Sequence, residues 1–370
     1  CCMSTQGHRL ESNELSEIFN NPVAQDIRLA MLKGEWHSAC SQCKAREDRG
    51  MTSDRGMYEQ WYNNAVKTDV IDPDGPRDVI MPTIKWADLR PSNLCNLKCR
   101  MCFPDNSTEV AREWAKFTTQ ELEVVDNDYS SKQLNQLSQR KHYKLPELND
   151  VVNLKLLGGE PTVQSEVFDI LDTMNYNEHS KIDITTNATS VQQFKAIEPR
   201  LKQFAQVNWS VSIDGYEDSF EYVRTPARWD RFSGAVEHLC STAWARLNTS
   251  VEFHYTLQAW NWHSIPQVYE YSDRLGSEYD NFRGMYLQQV DQPWLGLAVI
   301  PLEHRTSVLA TLEKKGLDRR EETFKWSQST PFDSTLVPKF IEHTAILDRT
   351  RGTLFKQLNP ELYESLLQYV

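Results

Sequence analysis

The sequence predicts an α/β protein whose main part is a parallel sheet covered by helices. Short apolar strand candidates alternate with helix candidates, and six such units follow one another between residues 84 and 290. Alternation of this kind implies parallel strands joined by crossover helices. Polar or glycine-containing motifs stand at the ends of these strands, and parallel sheets bind their ligands at the carboxyl ends of the strands. We therefore expect one functional site at that edge of the sheet.

Each strand candidate is a short apolar run bounded by turn-forming residues. A helix candidate at 229–246 carries a full apolar stripe, and Cys240 lies on it, which predicts a packing role for this thiol. A further helix candidate at 265–275 separates the last two strands. The six strand candidates are 84–89, 151–157, 182–186, 206–213, 251–257 and 285–290.

The chain outside the six units predicts two smaller parts. A helix is expected over residues 12–33, with Pro22 beginning a new turn and Gly34 closing it. The stretch that follows is polar and contains several glycines and prolines, which is typical of a linker. The last 70 residues show partial helical periodicity and are expected to close the open side of the sheet. The predicted domains are residues 1–75, 76–300 and 301–370.

Composition excludes several classes of protein. The chain has 370 residues, of which 25% are charged and 11% aromatic, as in folded domains. It contains no run of 18 apolar residues, so no membrane span is expected. Its net charge is −12 and it shows no basic stripe, which disfavours non-specific nucleic-acid binding because such binding neutralises phosphates. Seven of its eight cysteines are bunched, which predicts metal ligation in a reducing, cytoplasmic compartment.

The strongest chemical signal is the segment N-L-C-N-L-K-C-R-M-C at 93–102. It places Cys95, Cys99 and Cys102 in one short loop at the spacing C-x3-C-x2-C. Soft thiolates gathered this closely select zinc or an iron–sulfur cluster. A structural zinc site usually takes four protein ligands, whereas this loop has three thiols and no neighbouring histidine. A zinc knuckle and an iron–sulfur site both fit the spacing, and three thiolates leave one position open.

Together with the G-G-E-P segment at 158–161, this cysteine spacing resembles the radical S-adenosylmethionine (SAM) enzymes. The resemblance implies a partial (β/α)6 TIM-like barrel whose three cysteines hold a [4Fe-4S] cluster. In that family the fourth iron binds the amino and carboxylate groups of SAM. Reductive cleavage of SAM then gives a 5′-deoxyadenosyl radical that abstracts hydrogen from substrate, with the protein positioning and shielding the cofactor. An electron donor such as flavodoxin or ferredoxin is implied as well.

The resemblance also assigns SAM contacts within the first two motifs. Gly158 and Gly159 let the backbone approach a ligand closely, and backbone groups there are expected to accept the SAM ammonium. The Glu160 carboxylate is expected to add to this contact. An ordinary tight turn after a strand is the alternative. Met101 stands where the family often places an aromatic residue against adenine, and a thioether offers similar apolar contact.

Further SAM contacts are assigned at the ends of the third and fourth strands. Asn187 resembles a residue lining the SAM cleft, although Ala188 replaces the glycine that usually follows it. Ser212 and Asp214 resemble residues that hydrogen-bond the SAM ribose or carboxylate. Arg224 resembles an arginine that pairs with the SAM carboxylate, a role that suits a planar bidentate donor. A strand-end turn with a surface arginine is the alternative.

The N-terminal cysteines resemble a second site. Cys40 and Cys43 form a C-x2-C pair after a helix, and Cys1 and Cys2 stand ahead of the E-I-F-N-N-P segment at 17–22. This pattern resembles a SPASM or twitch domain and implies an auxiliary iron–sulfur cluster on these four cysteines or on some of them. The order departs from the family, in which this domain usually follows the barrel. A four-cysteine zinc site fits the same ligands.

The sequence thus predicts a radical SAM enzyme that modifies a peptide or small-molecule substrate held between the barrel and the auxiliary domain. Two other classes stay open: a non-catalytic metal-binding or scaffold protein on a radical SAM-like barrel, and a zinc-dependent nucleic-acid binder. No catalytic acid or base is identified, because the nine histidines show no HExxH or similar pairing.

Overall fold

The computed structural model divides the chain into two compact units, Cys1–Thr83 with Lys144–Glu147, and Ile84–Tyr143 with Leu148–Val370. The predicted boundaries after residues 75 and 300 stay a prediction. The residues that the structure describes are 17, 20–48, 53, 55–56, 86–126, 128–140, 148, 151–176, 178–317 and 321–370.

The larger unit is built on one six-stranded sheet, and all neighbouring strands pair in parallel in the order β1-β2-β3-β4-β5-β6. Sequential order with parallel pairing requires a crossover between every two strands, which the intervening helices supply. The predicted (β/α)6 fold class is therefore confirmed. The strands are β1 Trp86–Leu89, β2 Asn153–Leu156, β3 Lys181–Thr186, β4 Gln206–Ser212, β5 Thr249–Leu257 and β6 Phe282–Gln289.

The two faces of this sheet differ sharply in character. Register partners on neighbouring strands share a face, and the row Leu156, Ile184, Trp209 and Val251 is wholly buried. The helices cover this apolar face; the Trp209 ring, for example, meets the Phe194 ring with centroids 5.1 Å apart. The opposite face, which we call the inner face, is polar in β2 to β5, and most of its side chains are half-buried. These half-buried residues include Lys155, Asp183, Asn208, Ser210, Ser212, Glu252, His254 and Thr256.

Helices follow the strands much as predicted, with one break. The predicted helix at 229–246 is two helices, because Ser241 has an extended backbone with ψ 159° and ends the first of them. Cys240 is buried on the first helix, which confirms its packing role. The helices of the larger unit, numbered after two in the smaller unit, are α3 Thr108–Trp114, α4 Thr119–Val125, α5 Ser131–Ser138, α6 Ser165–Thr173, α7 Val191–Leu201, α8 Asp218–Val223, α9 Trp229–Cys240, α10 Thr242–Ala245, α11 Ile265–Glu278, α12 Leu302–Lys314, α13 Glu321–Ser329, α14 Val337–Arg351, α15 Phe355–Leu358 and α16 Pro360–Leu367.

The smaller unit contains α1 Pro22–Leu32 and α2 Ser41–Glu47. The Asn21 side chain caps the first of these and Pro22 is its first residue, while Gly34 follows its end at φ +72°. The new turn at Pro22 and the stop at Gly34 that the sequence predicts are thus confirmed. The predicted start lies outside the described residues, as do residues 12–16, 18 and 19 of the predicted helix.

No helix in the described part of the chain has the length and apolar character needed to cross a bilayer.

Candidate functional site

The cysteine triplet lies in the loop that leaves the carboxyl end of β1. Cys99 is buried, Cys95 and Cys102 are half-buried, and all three are free thiols. The loop turns tightly on itself: the Cys102 amide donates to the Cys99 carbonyl at 3.1 Å, and the Leu97 amide donates to Cys95 Sγ at 3.4 Å. The three thiols that the spacing predicted as ligands thus belong to one compact turn at the ligand-binding edge of the sheet.

Burial sets the protonation of these thiols. It raises the pKa of Cys95 to about 12, with the neighbouring Cys99 adding to the effect. Burial likewise raises the pKa of Cys99 and, further, that of Cys102. The Arg224 guanidinium opposes these rises at all three sulfurs. The free thiols are therefore protonated at neutral pH, and a metal that binds them must displace their protons.

Within the described residues no three His, Cys, Asp or Glu side chains form a group that could hold one metal ion. Ligation of a single zinc ion requires its ligands to converge on one point. In a cubane cluster each thiolate binds a different iron atom, so three cluster ligands need not converge in this way.

The G-G-E-P segment packs against the backbone at the start of the cysteine loop. Gly159 has φ +56°, and a Cβ atom there would come within 2.3 Å of the Leu94 carbonyl oxygen. That carbonyl accepts from the Glu160 amide at 2.9 Å and from Gln164 Nε2 at 3.1 Å. Gln164 Nε2 also reaches the carbonyls of Ser92 and Gly158. The close backbone approach that requires glycine is therefore an approach to the residue just before Cys95.

Glu160 and Asn187 connect three strand ends. The buried Glu160 carboxylate accepts from the Asn187 amide at 2.6 Å, from the Thr186 hydroxyl at 2.8 Å and from the Thr162 hydroxyl at 2.6 Å. Asn187 Nδ2 lies 2.8 Å from Asn96 Oδ1 and 3.9 Å from Cys95 Sγ. The contacts of these two residues with SAM stay a prediction. In the structure they bond to each other, to residues of the cysteine loop and to threonines at the ends of β2 and β3.

Asp214 and Arg224 are brought together and are both buried. Arg224 Nη1 forms an ion pair with Asp214 Oδ2, and Asp214 Oδ1 accepts from the Thr256 amide at 2.8 Å. The loop reaches this pair through its backbone, because the Lys98 amide donates to the Thr225 carbonyl at 2.8 Å. Arg224 Nε is buried and makes no hydrogen bond within the described part of the chain. The Nε donor of Arg224 is thus available for a further hydrogen bond near the three thiols.

The remaining predicted residues of the larger unit lie around this centre. Met101 is half-buried within the cysteine loop, and Ser212 is the half-buried last residue of β4. Ala188 has φ +51°, a left-handed conformation that glycine adopts more readily than alanine. Their roles toward SAM stay a prediction.

Sequence reasoning missed the residue between Cys99 and Met101. Arg100 is fully buried; its Nη2 lies 2.5 Å from Asp348 Oδ1 in α14, and its guanidinium carbon lies 3.5 Å from the centroid of the Tyr222 ring. A buried charge requires a partner, but the sequence does not show which of the chain's acidic residues supplies it. The cysteine loop is thus tied to a helix that lies about 250 residues further along the chain.

In the smaller unit, Cys40 and Cys43 are buried free thiols at the start of α2. Cys40 precedes this helix by one residue, and Cys43 stands in its first turn. Cys1 and Cys2 lie outside the described residues. An auxiliary cluster on these four cysteines stays a prediction.

Neither a protein-family model nor a curated protein matches the chain. Among solved structures, the chain is similar to Streptococcus suis SuiB bound to S-adenosylmethionine, at 14% identity and a TM-score of 0.38, over 79% of this chain and 63% of that one. It is also similar to SuiB bound to the precursor peptide SuiA, at 12% identity and a TM-score of 0.36, over 92% and 68%. The chain thus spans 63% of the first of these proteins.

Proposed function

We propose that the chain is a radical SAM enzyme: Cys95, Cys99 and Cys102 hold a [4Fe-4S] cluster, and SAM binds its open iron. The observation that carries this proposal is a turn with three buried or half-buried free thiols at the carboxyl end of a parallel strand. The substrate we propose is a peptide or a small molecule, and an external flavodoxin or ferredoxin would supply the electron.

The residues around the thiols suit an anionic cluster. Three thiolates bring three negative charges into a buried place, which is costly without compensation. Arg224 provides a positive charge there, and its unpaired Nε is a donor available to a cluster sulfide or to the carboxylate of SAM. When bound, the cluster and SAM supply the electron transfer that breaks the sulfonium C–S bond and starts the radical reaction.

The protein's own contribution is to orient these groups and to limit access of water. The Glu160 amide and Gln164 Nε2 donate to the Leu94 carbonyl, which sets the backbone just before Cys95. Glu160 orients the Asn187 backbone toward the same loop. Arg100 secures the backbone on the other side of Cys99. The ligand loop is therefore supported at both ends by buried polar groups, which preorganises it for the cluster.

We also propose that Cys40 and Cys43, with Cys1 or Cys2, hold an auxiliary iron–sulfur cluster. What supports this proposal is that both described cysteines are buried free thiols on one short segment. Thiolates at this spacing suit iron–sulfur clusters as well as zinc.

The test is anaerobic reconstitution of the full chain with iron and sulfide, followed by SAM and dithionite. We expect an iron–sulfur absorbance band and formation of 5′-deoxyadenosine without added substrate. Cys99→Ala should abolish 5′-deoxyadenosine formation, and the matched variant Cys240→Ala should keep it, because Cys240 is a packed thiol on α9. Zinc with negligible iron after anaerobic purification, or full iron loading without SAM cleavage, would contradict the proposal.

A further inference from the structure

The inner face of the sheet is polar where a closed barrel is apolar. In complete (β/α)8 barrels the interior is filled by branched apolar side chains. Here the inner-face residues of β2 to β5 are charged or polar, and most of them are half-buried. Such a face does not form a dry core, because unpaired polar groups are costly to bury. It is built to meet water or a polar ligand.

Two residues of β5 form a hydrogen-bonded pair on this face. Glu252 and His254 are two residues apart, so their side chains point to the same side of the strand. His254 Nε2 lies 2.9 Å from Glu252 Oε1, and that oxygen also accepts from the Ser210 hydroxyl at 3.0 Å. The His254 side chain is 31% exposed, so a ligand on the inner face can reach the ring.

This geometry selects one tautomer of the imidazole. The hydrogen bond from His254, together with those from its other partners, lowers the pKa of Glu252, so this carboxylate is ionised at neutral pH and can only accept. Nε2 of a neutral His254 must then carry the proton that it donates to Glu252. The lone pair is left on Nδ1. A carboxylate that orients an imidazole in this way is the arrangement of a general base.

The pair lies close to the candidate SAM site. His254 is the register partner of Ser212, and the Ile213 amide donates to the His254 carbonyl at 2.8 Å. Asp214, which pairs with Arg224 beside the thiols, is two residues beyond Ser212. At a rise of about 3.3 Å per strand residue, the rows of His254 and Asp214 are about 7 Å apart. A substrate at the mouth of the barrel and on its inner face could therefore reach His254 from the candidate SAM site.

We propose that His254, held by Glu252, is a catalytic proton acceptor that takes a proton from an O–H or N–H group of a substrate on the inner face. The proton moves to Nδ1, the bonding electron pair stays on the substrate oxygen or nitrogen, and no further reactant is needed. Glu252 is a positioning residue. The inference rests on the proposed function, because it assumes that the inner face receives the substrate of the SAM-dependent reaction.

The charged and titratable groups around the Glu252 and His254 pair come from four strands or their ends. Glu252 is the partner of His254 on β5. Asp214 follows the end of β4, and the electrostatic interaction with His254 lowers the pKa of Asp214 against the larger rise from burial. The Tyr286 ring of β6 has its centroid 5.2 Å from that of His254. Lys155 of β2 is near enough to affect Glu252. A second carboxyl group, a phenol and an ammonium group thus lie around the Glu252 and His254 pair.

The first test reads the tautomer directly. Nitrogen NMR of the reconstituted full chain with labelled histidines, with His254→Asn to assign the signal, should show Nε2 protonated and Nδ1 bare. Two histidines are internal references, because the Trp244 indole donates to His238 Nε2 and the Trp294 indole donates to His343 Nδ1. Burial lowers the pKa of both, so both are neutral with opposite tautomers. Glu252→Gln should remove the preference at His254.

A proton on Nδ1 of His254 in the wild type, or an unchanged tautomer in Glu252→Gln, would overturn the inference. A second probe is diethyl pyrocarbonate, which acylates an accessible nitrogen lone pair. Peptide mass spectrometry should find His254 modified at least about tenfold faster than His343, which is only 2% exposed. Equal rates would exclude an available lone pair on His254.

The third test measures catalysis. An untargeted mass-spectrometric search for modified peptides and metabolites first identifies the product, and kcat is then measured for that product. His254→Asn should lower kcat for that product by about 100-fold or more, as removal of a general base does. The variant His238→Gln, on the helical side of the sheet, should keep the wild-type kcat. Unchanged kcat in His254→Asn would refute the catalytic role.

The two proposals are contradicted by different results. A wild-type chain with full iron and no 5′-deoxyadenosine disproves the radical SAM function, whereas a wrong tautomer beside normal SAM cleavage disproves only the role of His254.

Discussion

The ion pair between Arg100 and Asp348 offers the sharpest test of how the cysteine loop is held. The Asp348 carboxylate accepts four hydrogen bonds: three at Oδ1, from Arg100 at 2.5 Å, Tyr222 at 2.8 Å and Thr353 at 2.9 Å, and one at Oδ2, from the Phe355 amide at 2.7 Å. The Arg100 side chain is fully buried and that of Asp348 is 9% exposed. The substitution Asp348→Asn keeps the shape and removes the charge.

The expected cost follows from burial. Removing one member of a buried ion pair costs about 3–5 kcal/mol, because the other charge is left uncompensated. Solvent screening reduces this figure little here, since neither side chain is well exposed. For a unit of this size 1 kcal/mol corresponds to about 2–4 °C, so the melting temperature should fall by about 6–20 °C. Because Arg100 stands between two of the proposed cluster ligands, the variant should also bind less iron.

The assay is denaturant unfolding of the metal-free full chain, with iron content measured after reconstitution. The control is Glu278→Gln, which breaks the exposed pair of Arg274 and Glu278, whose side chains are 42% and 43% exposed. This control should cost less than about 1 kcal/mol. The double variant Arg100→Met with Asp348→Leu should recover much of the loss, because no charge is left buried. A cost below about 1 kcal/mol for Asp348→Asn would refute the argument from burial.

Three further results are expected. Cys99→Ala should cost the metal-free fold only about 1 kcal/mol while abolishing SAM cleavage; retained turnover would contradict the cluster assignment. Cys40→Ser should lower the iron bound per chain while the Cys95 loop keeps its own share, and an unchanged iron content would disprove an auxiliary cluster. Gly159→Ala should destabilise the chain by about 1–3 kcal/mol more than Gly316→Ala, since both have positive φ but only Gly159 has a backbone oxygen 2.3 Å from the added carbon. Equal losses in urea unfolding would mean that the Leu94 contact relaxes freely.

Most of the sheet could be predicted from local pattern, and the deviations have local causes. The sixth strand begins at Phe282, three residues before the predicted start. Gly284 is a break signal in the sequence, but the pairing continues across it through a register shift, with Gly284 at φ +97°. The helix at 229–246 is interrupted at Ser241, whose extended backbone the apolar stripe does not reveal. Periodicity records which face is buried, and it is insensitive to a single residue that changes direction.

The inner face carried a signal that was available in the sequence. The run S-V-E-F-H-Y-T-L at 250–257 alternates polar and apolar residues strictly, which is typical of a half-buried strand. Treating this run as one more apolar strand hid the Glu252 and His254 pair. The hydrogen bond between Glu252 and His254 is consistent with strand geometry, because residues i and i+2 of a strand point to the same side.

The sequence by itself determined the order of the secondary structure and the place of the thiols, because strand alternation, turn residues and ligand spacing are all local properties. Only the tertiary structure decided that Asp214 meets Arg224, that Glu160 joins the ends of β2 and β3, and that Arg100 finds its partner in α14. The physical reason is that buried polar groups need partners of opposite character, and many residues of the chain have the right chemistry. Which of them is near enough depends on how strands and helices pack, and spacing along the chain does not contain that distance.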